Sequence, residues 1–176
     1  SIFWPNDGLD EGPMMLQKTC EIGPDETLGD VYFKKLFPMG VDAMIEGLDL
    51  VKAGVIIKHD QRLEVGSYES WFGKASAEID WSKPAINVYN MIRAANPAPG
   101  AWTTIAGSEL KIYDSARVDG TGIAGEVVSV GGDGVTVQAE GGRILIKRVR
   151  PTGGGKMAAS EWAAAVGVNS GTKLGS

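Results

Sequence analysis

The sequence predicts an α+β chain. A short strand–loop–strand–helix front leads through a long connection to a helix and a small open β-barrel of the oligonucleotide/oligosaccharide-binding (OB) type. Three observations carry this. The 25 glycines crowd into the second half, where a barrel needs tight turns. After Gly100 the apolar spacing drops to a period of two, the period of strands. Before Gly100, runs with helical spacing follow residues suited to helix caps.

In chain order, Ser1–Trp4 reads as a strand tail and Pro5–Gly12 as a loop. Met14–Glu21 is a second strand, closed by the turn Gly23–Pro24–Asp25. Thr27 is placed to cap a helix, with Asp30 in its first turn. Leu28, Val31, Tyr32 and Leu36 mark one helical face, and Met44, Ile45, Leu48 and Val51 another. Pro38 and Gly40 fall between them. A mid-helix Pro lacks a donor and strikes the preceding turn, so the reading is one kinked helix or two consecutive ones.

Residues 54–80 form a connection of uncommon length, read as a linker that packs on two domains through Tyr68, Trp71 and Phe72. Ser82 is expected to cap a helix reaching about Ala94, with Pro84 in its first turn. Trp81 and Ile86 have the spacing of a hydrophobic staple, and Ile86, Tyr89 and Ile92 face inward. Asn96–Pro97–Ala98–Pro99–Gly100 ends the helix. Arg93 and Asn96 read as structural residues at the domain junction.

Strands follow at Ala101–Ala106, Glu109–Ser115, Glu126–Val130, Val135–Glu140 and Arg143–Val149, with Gly107–Ser108 as the first hairpin turn. Met157–Val166 is a short Ala-rich helix, and the last ten residues read as poorly ordered. The expected divisions are therefore 1–53, a linker 54–80, a barrel 81–152 and a helix with tail 153–176.

Composition narrows the function. The chain is 43% hydrophobic and 22% charged, as an ordinary globular protein is. The single Cys20 excludes an intramolecular disulfide and offers no zinc site; it reads as a partly buried strand residue in a reducing cytoplasm. No apolar stretch approaches the roughly 20 residues of a membrane span, and no basic-then-apolar leader is present. Ser1 already stands inside a strand-like run, so the expectation is that upstream polypeptide is absent.

The net charge of −5 is uneven: residues 1–52 hold ten acidic and four basic side chains, and residues 141–176 hold one acidic and six basic. Bulk charge does not draw nucleic acid to the whole chain. Arg143, Lys147, Arg148, Arg150 and Lys156 form a basic end. They suit either phosphate contacts or charged strand edges that block unwanted pairing. The strands lack an aromatic stacking platform, which favours the second reading.

Asp7, Asp10 and Glu11 gather in the Gly/Pro-rich loop after the first strand. On residue types alone they solubilise a turn. Their spacing is not the alternate-position spacing of a calcium loop, so no metal site is expected.

The stretch SIFWPNDGLDEGPMMLQK resembles the active-site signature of the folate-dependent formyltransferases: a strand, a loop ending Leu-Asp-x-Gly at Leu9–Gly12, and an apolar strand. The resemblance continues through DETLGDVYFKKLFPMG, the linker end Glu78–Ile79–Asp80–Trp81, MIRAANPAPGAWT and the Gly-rich strands, and covers essentially the whole chain. SIFW, DGLD, MLQK and LFP-x-G look most like the hydrolase domain of 10-formyltetrahydrofolate dehydrogenase. Methionyl-tRNA formyltransferase is a near relative, usually with Trp where this chain has Ala98.

The resemblance implies that the front is the C-terminal remnant of a Rossmann-like catalytic domain. It implies catalysis by an Asn and a His on an upstream half together with Asp10. His59, the sole His, does not correspond to the catalytic one and reads as an exposed linker residue. The Asn and His would supply oxyanion donors, while the Asp10 carboxylate would relay protons through water and hold the imidazolium. Asn6, Asp7, Gly8 and Leu9 would bind the pterin of 10-formyltetrahydrofolate, the formyl donor, without a metal.

The implied partners are the upstream half, folate and initiator tRNA, in the cytoplasm. The acceptor stays open between water, a carrier and methionyl-tRNA, as does an accompanying aldehyde dehydrogenase domain. The 176 residues alone are expected to be inactive. A reading of another class is a non-catalytic OB-like binding module.

Overall fold

The computed structural model describes residues 1–175 and separates into two compact units, Ser1–Trp71 and the chain from Phe72 onward. Both are built from antiparallel strands and helices.

In the first unit β1 (Ile2–Phe3) pairs with β2 (Met14–Leu16), in register Ile2↔Leu16 and Phe3↔Met14. The second strand stops well short of Glu21, because the two-residue β1 offers no ladder beyond Ile2. Cys20 is half-buried and lies outside any strand, which corrects its expected place.

Thr27 does cap the helix. Its hydroxyl accepts from the Asp30 N–H at 3.1 Å, while the Asp30 carboxylate accepts from the Thr27 N–H at 3.1 Å. Helix α1 (Leu28–Val31) runs through a π-helical turn (Tyr32–Leu36) into α2 (Phe37–Lys52). This turn resolves the conflict at Pro38. The Phe37 N–H reaches five residues back to the Tyr32 carbonyl, so the wider turn absorbs the Pro ring without ending the helix. Val31, Ala43 and Gly47 are buried, and Gly47 lets α2 lie close on Met15 and Ile2 of the strand pair. Phe33 of the π-helical turn and Phe37, Met44 and Leu48 of α2 are exposed.

The connection first runs beside β2. The Met14 N–H donates to the His59 carbonyl at 2.8 Å and the His59 N–H returns to the Met14 carbonyl at 2.9 Å. The Trp4 indole donates to the Ile57 carbonyl at 2.9 Å. Tyr68, Trp71 and Phe72 do not anchor the linker as expected; all three are exposed, Trp71 by 90%. They sit on non-periodic backbone, where apolar composition alone defines no buried face.

In the second unit α3 (Ala85–Ala94) precedes six strands: β3 (Ala101–Ile105), β4 (Ser108–Val118), β5 (Val127–Gly131), β6 (Gly134–Ala139), β7 (Gly142–Pro151) and β8 (Met157–Ala158). Helix α4 (Ala159–Val166) follows. The sheet order is β3-β4-β7-β6-β5, with β8 also on β7. The β3–β4 turn is Ala106–Gly107, with φ of +47° and +74°, the left-handed pair of a two-residue hairpin. It lies one residue before the expected Gly107–Ser108.

Helix α3 begins at Ala85 with Pro84 at its N-cap. Ser82 instead donates its N–H to the Asp80 carboxylate, in a turn before the helix. Ala85, Val88, Tyr89 and Ile92 form the buried face, and Ile86 lies on the other side of the helix, 41% exposed, so the staple does not form.

The core gathers Ile92, Leu110, Ile112, Val127, Val137, Ile144, Ile146, Val149 and Trp162. Gln138 is buried among them with its amide satisfied. Nε2 donates to the carbonyls of Ala139 at 2.7 Å and Gly142 at 2.8 Å, and Oε1 accepts from Arg143 at 3.0 Å.

Through Gly175 the tail is tied down by hydrogen bonds, against expectation, while Ser176 lies outside the described residues. The Gly171 N–H donates to the Val127 carbonyl at 2.9 Å, and the Val127 N–H donates to Thr172 at 2.8 Å. The Leu174 N–H donates to Gly125 at 2.8 Å, and Gly175 to Thr104 on β3 at 2.8 Å. Edge strands offer unpaired donors and acceptors, and residues 171–175 satisfy some on both β5 and β3. Leu174 is buried as the apolar anchor of this strap.

Candidate functional site

The loop from Pro5 to Gly12 hangs between β1 and β2, tied at its base by the Trp4 N–H donating to the Pro13 carbonyl at 3.0 Å. Asn6 shapes its start, accepting the Gly8 N–H on Oδ1 at 3.1 Å. Gly12 closes it. A Cβ there would collide with the Trp4 carbonyl, so the return strand requires glycine at this close approach.

Asp10 itself is left-handed, with φ of +55°. This geometry costs a side-chain-bearing residue about 1–2 kcal/mol, and Asp tolerates it better than most.

The strain is held by a residue distant in sequence. The Gln61 side-chain amide donates to the Asp10 carbonyl at 2.8 Å and to the Gly12 carbonyl at 2.7 Å. Between this loop and the segment after Gln61 lies an open cleft of about 760 Å³. Leu9, Asp10 and Glu11 border it on one side, and Leu63, Val65 and Tyr68 on the other.

Of the sequence-predicted residues, Leu9 and Asp10 border the cleft, and Asn6, Asp7 and Gly8 do not. All five are exposed. His59 is exposed and engaged through its backbone. Among the described residues no cluster of three or more His, Cys, Asp or Glu side chains could hold a metal.

Sequence reasoning missed Gln61 and the far wall. Gln61 stands in non-periodic sequence, and no local signal marks a side chain that bonds residues 49 and 51 positions away.

The second unit carries the basic end. Lys111 and Arg150 are directly opposed on β4 and β7. The Lys156 ammonium sits 3.6 Å from the centre of the Tyr113 ring. Partial burial, then the charges of Arg148 and Arg150, hold the Lys156 pKa below its ordinary value. Arg143 does other work, bonding Gln138 and the Thr121 carbonyl. Asn96 donates to the Tyr113 carbonyl at 2.8 Å, a bracing role.

Residues 72–167 match the family described as formyl transferase, C-terminal domain. The chain belongs to the formyl transferase family. Its relatives include mitochondrial 10-formyltetrahydrofolate dehydrogenase of Mus musculus, 36% identical over 132 residues, which is 75% of this chain and 14% of that protein. Methionyl-tRNA formyltransferase of Geotalea daltonii is 34% identical over 168 residues, 96% of this chain and 54% of that protein. This formyl transferase chain thus spans about half, or much less, of the length of those two relatives.

The crystal structure of HypX from Aquifex aeolicus in complex with tetrahydrofolic acid shares the fold. Its TM-score is 0.68 at 17% identity, over 90% of this chain and 28% of that one. No helix among the described residues of the formyl transferase chain is long and apolar enough to cross a membrane.

Proposed function

We propose that this chain is the C-terminal part of a 10-formyltetrahydrofolate-dependent formyltransferase or hydrolase. In that reading Asp10 is the catalytic carboxylate, and an upstream half supplies the Asn and His. The observation that carries the proposal is the Asp10 loop: a Leu-Asp-x-Gly turn, left-handed at the Asp, opening onto a cleft large enough for a flat heterocycle. Family membership and the folate-using names of the relatives support it.

The front is then the remnant of a Rossmann-like domain. The outer side of α1 and α2 is where further protein packs, since a helix apolar on two sides belongs between layers. The second unit is read as a small open OB-like barrel, with the 171–175 strap across its open side.

Chemistry follows from proton accounting. Attack on the formyl carbon builds an oxyanion, and collapse requires the N10 nitrogen to gain a proton while the attacking group loses one. A carboxylate at the cleft edge can accept and return protons through an ordered water. Leu9 and the loop backbone would hold the pterin, with Asn6, Asp7 and Gly8 shaping the loop behind it.

A second reading, methionyl-tRNA as acceptor, is favoured by the opposed cations Lys111 and Arg150 and by Lys156 beside them. One experiment addresses both. The chain is joined to a formyltransferase upstream half, and turnover is measured with water and with methionyl-tRNA as acceptors. Asp10→Asn should reduce turnover at least about 100-fold with no change in melting. Turnover within about twofold of the parent would remove Asp10 from the mechanism.

A further inference from the structure

We infer that Gln61 is the positioning residue of Asp10, a linker side chain that sets the direction of a carboxylate it does not touch. This rests on the reading of Asp10 as the catalytic carboxylate. The geometry is specific. Carbonyl oxygens only accept, so both bonds must come from the one Gln61 Nε2, which has two hydrogens and spends one on each partner.

The Asp10 carbonyl lies in the peptide plane that follows the left-handed residue and the Gly12 carbonyl in the plane that leads into Pro13, so one amide fixes the backbone on the C-terminal side of Asp10 and ties it to the return of the loop. Asp10 has few other restraints: its side chain is exposed, and no ion pair involves it among the described residues. Without Gln61 the loop keeps the Trp4–Pro13 bond at its base and the Asn6–Gly8 bond at its start, and nothing comparable on Asp10.

Gln61 is itself held. It follows His59, whose two backbone bonds to Met14 lock the start of the segment beside β2. The clamp therefore transmits the position of the strand to the carboxylate, and makes one element of the linker part of the cleft wall.

The test compares Gln61→Met, which keeps length and apolar bulk but has no donor, with Gln61→Lys, which is one atom longer and keeps a donor. Two measurements are made on each. In the chain itself, the carbonyl carbon resonances of Asp10 and Gly12 report whether those oxygens still accept a hydrogen bond. In the same chain joined to an upstream half, kcat and KM are measured beside Asp10→Asn.

The expected result for Gln61→Met is a move of both resonances, a fall of kcat by about 10- to 100-fold and a KM within about twofold, the signature of misplacement rather than lost binding. Gln61→Lys should keep most of the parent kcat. Unmoved resonances in Gln61→Met overturn the clamp. Moved resonances with parental kcat, while Asp10→Asn is inactive, overturn the positioning role and leave the catalytic reading of Asp10 standing. A harmless Asp10→Asn overturns both, and is recognised because the Asp10 variant itself reports it.

Discussion

Substituting Ala for Gly125 separates the strap from the rest of the second unit. Gly125 has φ of +77°, so any Cβ there pays the left-handed penalty of about 1–2 kcal/mol. That Cβ would also stand 2.8 Å from the Leu174 carbonyl oxygen, well inside ordinary contact. The strap must recede, stretching the Leu174–Gly125 hydrogen bond of 2.8 Å, worth about 0.5–1.5 kcal/mol, and loosening the buried Leu174 side chain. The two figures sum to a loss of about 1.5–3.5 kcal/mol.

Gly167, at the end of α4, provides the control. Its φ is +73° and its Cβ would meet nothing, so Gly167→Ala pays the backbone penalty alone. Urea unfolding of both variants, followed by near-ultraviolet circular dichroism, gives the difference. Gly125→Ala should be less stable than Gly167→Ala by at least about 1 kcal/mol. Equal losses, within about 0.5 kcal/mol, would show that residues 171–175 contribute nothing to the sheet and would refute the argument.

Two further outcomes are expected. The chain alone should self-associate through the outer side of α1 and α2, and the triple variant Phe33→Ser, Phe37→Ser, Leu48→Ser should sediment closer to a monomer and bind less apolar dye; a parent chain that is already a dye-silent monomer would count against this. Hydrogen bonds from Lys34, then from the Thr27 side chain, hold the Asp30 carboxyl well below the usual carboxylate range. Its folded pKa is depressed, so its contribution to the helix start is complete above the ordinary value of 3.8 and is lost only as pH falls through the lower, folded value. Helix circular dichroism in acid should therefore hold to lower pH in the parent than its other carboxylates would suggest, and Asp30→Asn should abolish that step.

Much of the fold was legible in residues with a local physical reason. Thr27 and Asp30 sit three apart before an apolar run, and that spacing alone makes a reciprocal cap. The alternation in β7 places Ile144 and Ile146 in the core and Lys147 outside it. Family membership was legible in the Leu-Asp-x-Gly loop and the segments that follow it.

What stayed hidden depends on partners distant in sequence. The tail reads as disordered because its glycines and polar residues carry no period, and its order comes from the exposed edges of β5 and β3. Ile86 reads as inward because it is apolar and spaced three from Tyr89, but the face that packs is Ala85, Val88, Tyr89 and Ile92, and which face packs is set by the sheet beneath. At the candidate site, the Asp10 position in the loop was legible; its left-handed backbone and the Gln61 contact were not, because neither leaves a mark in the nearby residues.

The saturated amide of Gln138 has a consequence for how the second unit picks its alignment. Val135 lies across from Ile146 and Val137 across from Ile144, so sliding β6 past β7 by two residues would trade one branched aliphatic for another. Oil alone would scarcely notice the error. The amide would: moved off the Gly142 carbonyl and away from Arg143, both on β7, its Nε2 and Oε1 would lose those partners in the interior at a cost of about 1–3 kcal/mol for each orphaned group. A single polar side chain thus works as a proofreading tooth in an otherwise repetitive zipper.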